Sequence, residues 1–440
     1  MVSLTKIFSE FVYNAKPNDF NDEMKFFSKM SMLDWAGVAY AGRKEPVSNI
    51  VTKLIEDDKS HGNSRIISNG VSVNSKSAAL VNGTIGHALD YDDTHFLFTG
   101  HPTASAFPTA LAIGEELNSS IDEIILAYMC GVEVSTRVGL ILGYSHYNKG
   151  FHQTATSGAF GATVVASKLL KLNIDQIEYA FGIVSTRASG LKSQFGTMGK
   201  PFHAGIAASN GIEAAKLAEL GFVSCVDGIE CSQGFLNTHG WNEKYPDAAL
   251  EGLGSNYLFP EIKYKFHACC HGLHAFLEAL DELKIKNNFN PESIEKISIE
   301  TQPSWLKVCN IESPKTGLES KFSYRFTAAM SLHGVDTARL DSYNDEICFD
   351  ENLIKTRNKV EVIPNENLSN TEALIKIKDD GSTFENSHNL SDKIEDKIIQ
   401  KKIKAKSSSL LSESISKELS LILDKPNQFY AKDILNLLIK

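Results

Sequence analysis

From Asp22 to about Arg43 the apolar residues (Met24, Phe26, Phe27, Met30, Met32, Leu33, Trp35, Ala36, Val38, Ala39) recur at helical spacing and run almost all the way round. That pattern predicts a buried helix rather than a surface one. Ser75 to Leu89 reads as another helix, and its small residues (Ala78, Ala79, Gly83, Gly86, Ala88) let neighbouring helices come close. Thr103 to Glu116 and the long, strongly apolar stretch Ile121 to Leu142 continue the pattern. Gly158 to Leu170 and Ala204 to Leu220 are again small-residue helices. Up to about residue 250 there is almost no period-two alternation, so a compact all-helical domain is expected.

The texture changes near Tyr264. Ile294 to Thr301 alternates with period two, placing Ile297, Ile299 and Thr301 on one face. Lys359 to Ile363 reads as a strand stopped by Pro364, and Ala373 to Lys378 with Ser382 to Phe384 reads as a hairpin turning at Asp379-Asp380-Gly381. Helical segments are expected at Leu273 to Leu283 and Leu318 to His333. The tail returns to helix: a charged, solvated one from Ser391 to Ala405, then amphipathic ones from Ser412 to Leu423 and Ala431 to Ile439. The expected fold class is therefore mainly α. Residues 1–262 and 395–440 form a discontinuous helical domain, and 263–394 a smaller α+β lid domain.

Composition narrows the partners. With 42% hydrophobic and 22% charged residues in 440, the chain is ordinary globular protein. A net charge of -10 supplies no basic surface for nucleic acid, so an anionic ligand must be met by a local positive group. The seven cysteines lack the paired spacing of a zinc ribbon. No signal peptide and no apolar stretch of membrane-spanning length stands out, so no membrane partner is expected and a reducing cytoplasm is the simplest location.

Four clusters carry candidate chemistry. The first is HALDYDDTH (His87 to His95), followed by His101. On a helix, His87, Asp90 and Thr94 would share a face, and three aspartates within four residues raise each other's pKa if buried. A solvated acidic turn is the plain alternative. A magnesium-diphosphate site would want a second acidic cluster, and the helical domain offers none that convinces. The second, GFHQTATSGAFG (Gly150 to Gly161), puts His152 before a helix whose N-terminus suits a carboxylate; a satisfied loop histidine is the bland reading. The third, QFGTMGKPFHAG (Gln194 to Gly205), places Lys200 in the first turn of a helix. The dipole there repels a cation, which points to a bound anion, with a lysine reaching solvent as the alternative. The fourth, KYKFHACCHGLHA (Lys263 to Ala275), holds His267, Cys270, His271 and His274, spaced as zinc ligands on a helix or, more plainly, around a buried free cysteine pair.

These four motifs, in this order and followed by PKTGLESKFSYRFTAAMSL, resemble the MmgE/PrpD family of dehydratases, decarboxylases and epimerases of small carboxylic acids. The resemblance runs from about residue 25 to 390 and is closer to the epimerase-like, uncharacterised branch. It implies a large helical domain with an α+β lid, an active site between them, a homodimer, and no metal or cofactor. It also implies a site drawn from Asp90, Thr94, His101, His152 and Lys200. Near the junction, Cys270 falls where the decarboxylase members carry a catalytic histidine, with His271 or His274 as other sources of an imidazole. Phe326 falls where those members carry a tyrosine. Both departures count against decarboxylation.

The implied reaction removes a proton α to a carboxylate of a small di- or tricarboxylic acid. His152 is the candidate base or acid. Lys200 and His101 meet the carboxylates and the developing charge. Asp90 orients a histidine, Thr94 donates a hydrogen bond, and His274 is a further substrate contact. Dehydration is the leading outcome and epimerisation the next. An inactive helical scaffold is the alternative of another class.

Overall fold

A computed structural model describes residues 3–240 and 246–440. They fall into two compact units, Met1–Tyr264 with Ile403–Lys440, and Lys265–Lys402. The fold is mainly α, with a smaller α+β region.

The first unit opens with α1 (Leu4–Asn14), α2 (Asp22–Gly42), α3 (Pro46–Asp57), α4 (Ser75–His87), α5 (Thr103–Leu117) and α6 (Ile121–Lys149). It continues with α7 (Gln153–Leu169), α8 (Ile174–Ser185), α9 (Gly199–Glu219), α10 (Phe235–His239) and α11 (Pro246–Leu250). Local chemistry starts these helices. Asn21 caps α2 by accepting from the Met24 amide, with Asp22 and Glu23 against the positive end of its dipole. Asn74 caps α4, and Ser120 with Glu123 makes a capping box at α6. As the all-round apolar pattern predicts, α2 is buried along most of its length, with Trp35 fully inside.

The small residues set how closely helices approach. α4, α5, α7 and α9 pack on one another, and α4 and α9 nearly touch where Gly83 faces Gly205. A Cβ on Gly205 would run into the Leu80 carbonyl and the Thr84 hydroxyl. This crossing brings the C-terminus of α4 and the first turn of α9 to one place.

Several expectations are corrected in this unit. The all-helical expectation misses a two-stranded ribbon, β1 (Ser64–Arg65) against β2 (Ser72–Val73). α6 runs beyond Leu142 to Lys149, but Gly143 breaks it with φ 64°, and the Gln153 side-chain amide bridges the break by donating from Nε2 to the Gly143 carbonyl at 2.9 Å. α6 is also long and apolar enough to cross a membrane, contrary to the expectation that no stretch is. Its most apolar stretch is 89% buried against other parts of the protein, which accounts for its composition.

The second unit holds a four-stranded sheet of order β4-β3-β5-β6, with β3 (Ile294–Thr301), β4 (Val360–Pro364), β5 (Glu372–Asp379) and β6 (Ser382–Asn389). β3 and β4 are parallel, and the other pairs antiparallel. Ile297, Ile299 and Thr301 point inward, as the alternation predicts. The hairpin turns at Asp380-Gly381, both at positive φ (46° and 77°), the conformation a two-residue turn of this composition favours. The helices here are α12 (His274–Lys286), α13 (Pro303–Leu306), α14 (Gly317–Ser320), α15 (Tyr324–Leu332) and α16 (Glu351–Arg357). Leu318 to His333 is therefore two helices rather than one, because Ser323 starts a new one by capping the Phe326 amide. Along the tail, α17 (Asp396–Leu411) begins later than Ser391, and α18 (Glu413–Asp424) and α19 (Ala431–Ile439) follow as expected.

Candidate active site

α4 ends at His87, and the chain leaves it at once: Asp90 has φ 50°, in the left-handed region. The expected helical face of His87, Asp90 and Thr94 therefore does not form. Thr94 instead pairs with Lys263 through two backbone hydrogen bonds of 2.7 Å. The turn between them separates three aspartates that the sequence places together.

Asp92 is fully buried between two imidazoles. His87 Nδ1 lies 2.9 and 3.1 Å from its oxygens, and His101 Nδ1 lies 3.3 Å from Oδ2. Burial acts to raise this carboxyl, but His87 and His101 overrule it and hold the group well below the usual carboxylate range. Burial takes His87 down to about 4 despite its partner, so near pH 7 a neutral His87 donates Nδ1–H to a charged Asp92. Asp93 is the opposite case: burial first, then the nearby Asp34, pushes it well above the ordinary value. Its carboxyl accepts from the Thr103 hydroxyl at 2.5 Å. Of the two buried aspartates, one is thus held towards its charged form and the other pushed towards its neutral form.

Asp90 is the half-exposed member. Its Oδ1 lies 2.8 Å from Lys200 Nζ and 3.2 Å from His101 Nε2. Lys200 occupies the first turn of α9, where the helix dipole opposes it, and the Asp90 carboxylate offsets that conflict. Asp90 therefore does contact a histidine. Both tautomer-setting Nδ1 contacts, however, belong to Asp92.

His152 sits immediately before α7 as its N-cap. Its amide donates to the Gly190 carbonyl (2.9 Å), and its Nδ1 lies 2.9 Å from His203 Nδ1. Its ring is 6.1 Å from His87 and packs edge-on against Phe195. Burial, then Lys200, then His87 lower its pKa well below 6.5, so it is a neutral base near pH 7. The His101 amide donates to Thr154 Oγ1 on α7, tying the first motif to the second.

The helical unit thus brings together Asp90, His101, His152 and Lys200, and adds His87, Asp92 and His203. Asp92 and His203 are missed by residue-level reading, although the triple-aspartate run and the FHAG of the third motif contain them. A buried lysine fixes the same turn: Lys406 donates to the Tyr91 carbonyl and pairs with Asp34, both at 2.6 Å.

In the second unit, Cys270 precedes a short 3₁₀ turn, and His274, fully buried, opens the helix after it. Burial, then His271 and His267, push His274 well below its ordinary value. His267 Nδ1 lies 2.7 Å from Thr337 Oγ1, and its Nε2 faces Glu278, which Lys402 grips at 2.5 and 2.6 Å. Phe326 is fully buried in α15. The zinc spacing read at the junction does not produce a set of converging ligands among the described residues.

One converging set lies instead in the helical unit: ligand atoms of His87, Asp90, Asp92 and His101 all fall within 4.8 Å of one another. The donor types suit a divalent ion. Such an ion would have to displace Lys200 from Asp90 and break the His87–Asp92 bond.

The MmgE/PrpD N-terminal domain matches residues 6–246, and the MmgE/PrpD C-terminal domain matches residues 267–424. The chain belongs to the MmgE/PrpD family. Among its relatives is the cis-aconitate decarboxylase of Aspergillus terreus, 29% identical over 362 residues, covering 77% of this chain and 73% of that protein. The mouse cis-aconitate decarboxylase is 26% identical over 357 residues, 75% of this chain and 70% of that protein. Membership of the MmgE/PrpD family together with these relatives identifies a lyase-type enzyme.

Proposed function

We propose that this MmgE/PrpD enzyme abstracts a proton beside a carboxylate of a small di- or tricarboxylic acid and expels a β-hydroxyl, using no metal. The observation that carries the reading is a buried neutral imidazole, His152, in the electrostatic range of a lysine whose other partner is a single half-exposed carboxylate. An α proton is weakly acidic, so its removal needs a base together with fixed positive charge where the enediolate forms. His152 takes the proton, and the C–H electron pair flows into the enediolate. Lys200 and His101 meet the substrate carboxylates, which compete with Asp90 for these two groups. Collapse of the enediolate breaks the β C–O bond, and the hydroxyl leaves as water after taking a proton. Asp92 keeps His87 and His101 in one orientation, with Thr94 as a hydrogen-bond donor.

Decarboxylation is the second reading, favoured by the names of the relatives. Cys270 and Phe326, which stand where decarboxylase members are expected to carry histidine and tyrosine, favour dehydration over it. Proton NMR in deuterium oxide with a panel of dicarboxylates and tricarboxylates tests the proposal. Deuterium beside a carboxylate with a new alkene signal supports dehydration. Exchange with inversion alone supports an epimerase, and loss of carbon dioxide supports a decarboxylase. No exchange with any acid, or undiminished exchange in His152→Asn, sinks the proton-abstraction reading.

A further inference from the structure

Away from the histidine cluster, the turn between α9 and α10 places two thiols and a carboxylate together. Cys225 Sγ lies 3.0 Å from Asp227 Oδ1, and one ligand atom from each of Cys225, Asp227 and Cys231 falls within 4.8 Å of the others. We propose that this turn is a binding site for a thiophilic divalent cation of the zinc class, with these three side chains as ligands and a fourth position open to solvent.

The size fits. In tetrahedral zinc with Zn–S near ~2.3 Å and Zn–O near ~2.0 Å, neighbouring ligand atoms are about 3.3–3.8 Å apart. The three atoms therefore need only small side-chain rotations to close on an ion. The backbone that carries them is already fixed. The Asp227 carbonyl accepts from the Glu230 and Cys231 amides (3.1 and 2.9 Å), and Asn237 Nδ2 donates to the Cys231 carbonyl at 2.8 Å. Ser224 Oγ donates to the Tyr179 carbonyl on α8 at 2.7 Å, and the Cys225 carbonyl lies so close to Gly182 that no side chain fits there. Little ordering remains for an ion to impose.

The charge fits as well. Cys225 donates its S–H to the Asp227 carboxylate. Thiolate and carboxylate cannot share the site comfortably unless a cation lies between them. Cys225 is exposed and Cys231 half-buried, so an ion has access. Binding replaces two S–H bonds by two metal–thiolate bonds and releases two protons, with no change of oxidation state. With two protons released per ion, affinity should rise about 100-fold per pH unit while both thiols are protonated.

The test uses full-length protein, reduced and freed of metal, titrated with Co²⁺ and then Zn²⁺. One equivalent of Co²⁺ should give a near-ultraviolet thiolate charge-transfer band that Zn²⁺ abolishes. Calorimetry in two buffers should find about two protons released per ion. The Cys225→Ser/Cys231→Ser variant should lose the band while unfolding at the metal-free wild-type temperature, and Asp227→Asn should weaken binding at least tenfold. Absence of the band in reduced wild type, its persistence in the double variant, or both cysteines recovered as a disulfide with no uptake after reduction would overturn the proposal.

Discussion

Replacing Asp92 with asparagine keeps the shape of the side chain and removes its charge. The carboxylate accepts His87 Nδ1–H at 2.9 Å and faces His101 Nδ1 at 3.3 Å, with no exposure to solvent. An amide has one oxygen, so one imidazole keeps its acceptor and the other meets an NH₂ group. The charge-assisted bond lost is worth about 1.5–3 kcal/mol, and the buried group left without a partner adds roughly 1–3 kcal/mol. Stability at pH 7 should therefore fall by about 2.5–6 kcal/mol, read from urea denaturation. Of this, ~2–4 kcal/mol should also be missing from the transition state, since the two imidazoles are no longer held. That corresponds to a loss of about 30- to 1,000-fold in turnover. The assay is the rate of solvent deuterium entering a saturating substrate acid, compared with wild type at equal folded fraction. Turnover within threefold of wild type would refute the assignment of Asp92 as the group that positions His87 and His101.

Three other outcomes follow from the same geometry. Lys406→Met should destabilise the protein by about 3–5 kcal/mol, because it strands the buried Asp34; the Lys406→Met/Asp34→Asn double variant should recover part of this, and a loss under ~1 kcal/mol would count against the pair. Gly205→Ala should lower stability by about 1–3 kcal/mol by forcing α9 from α4, and should slow deuterium exchange as His87 and Lys200 separate; an unchanged Tm would show that the crossing yields easily. On the acid side, His87 and His95 are fully buried with pKa values near 4, so the unfolded chain takes up protons below ~6.5 that the native state refuses. Their stabilisation is complete above the unfolded value and drains as pH falls from about 6.5 to 4, each histidine contributing on the order of 3 kcal/mol. Asp93, pushed up by burial, works in the opposite direction, but His152 and His274 side with the other histidines. Urea midpoints at pH 7, 6 and 5 should therefore fall, and a flat profile would mean that these rings are protonated in the native state.

The elements that were legible in the sequence are those with a local cause. The all-round apolar run of α2, the alternation of β3 and the Asp-Gly turn between β5 and β6 each express one period or one backbone preference. The motif chemistry was legible as well, since His, Asp and Lys at unusual density stand out without coordinates. What the sequence left undecided is which of these groups meet. A helical wheel puts Asp90 with His87, but a single left-handed residue redirects the chain and hands the buried contact to Asp92. His152 finds His203 across 51 residues because Gly190 admits the approach, and Lys406 reaches Asp34 from the far end of the chain. Proton affinity was decided in the same way: Asp92 and Asp93 are neighbours in sequence, yet one carboxyl is pulled below its ordinary range and the other pushed above it. Periodicity is set by the few residues of a turn. Hydrogen-bond partners and pKa values are set by burial and by what distant segments bring near, and only tertiary packing fixes those.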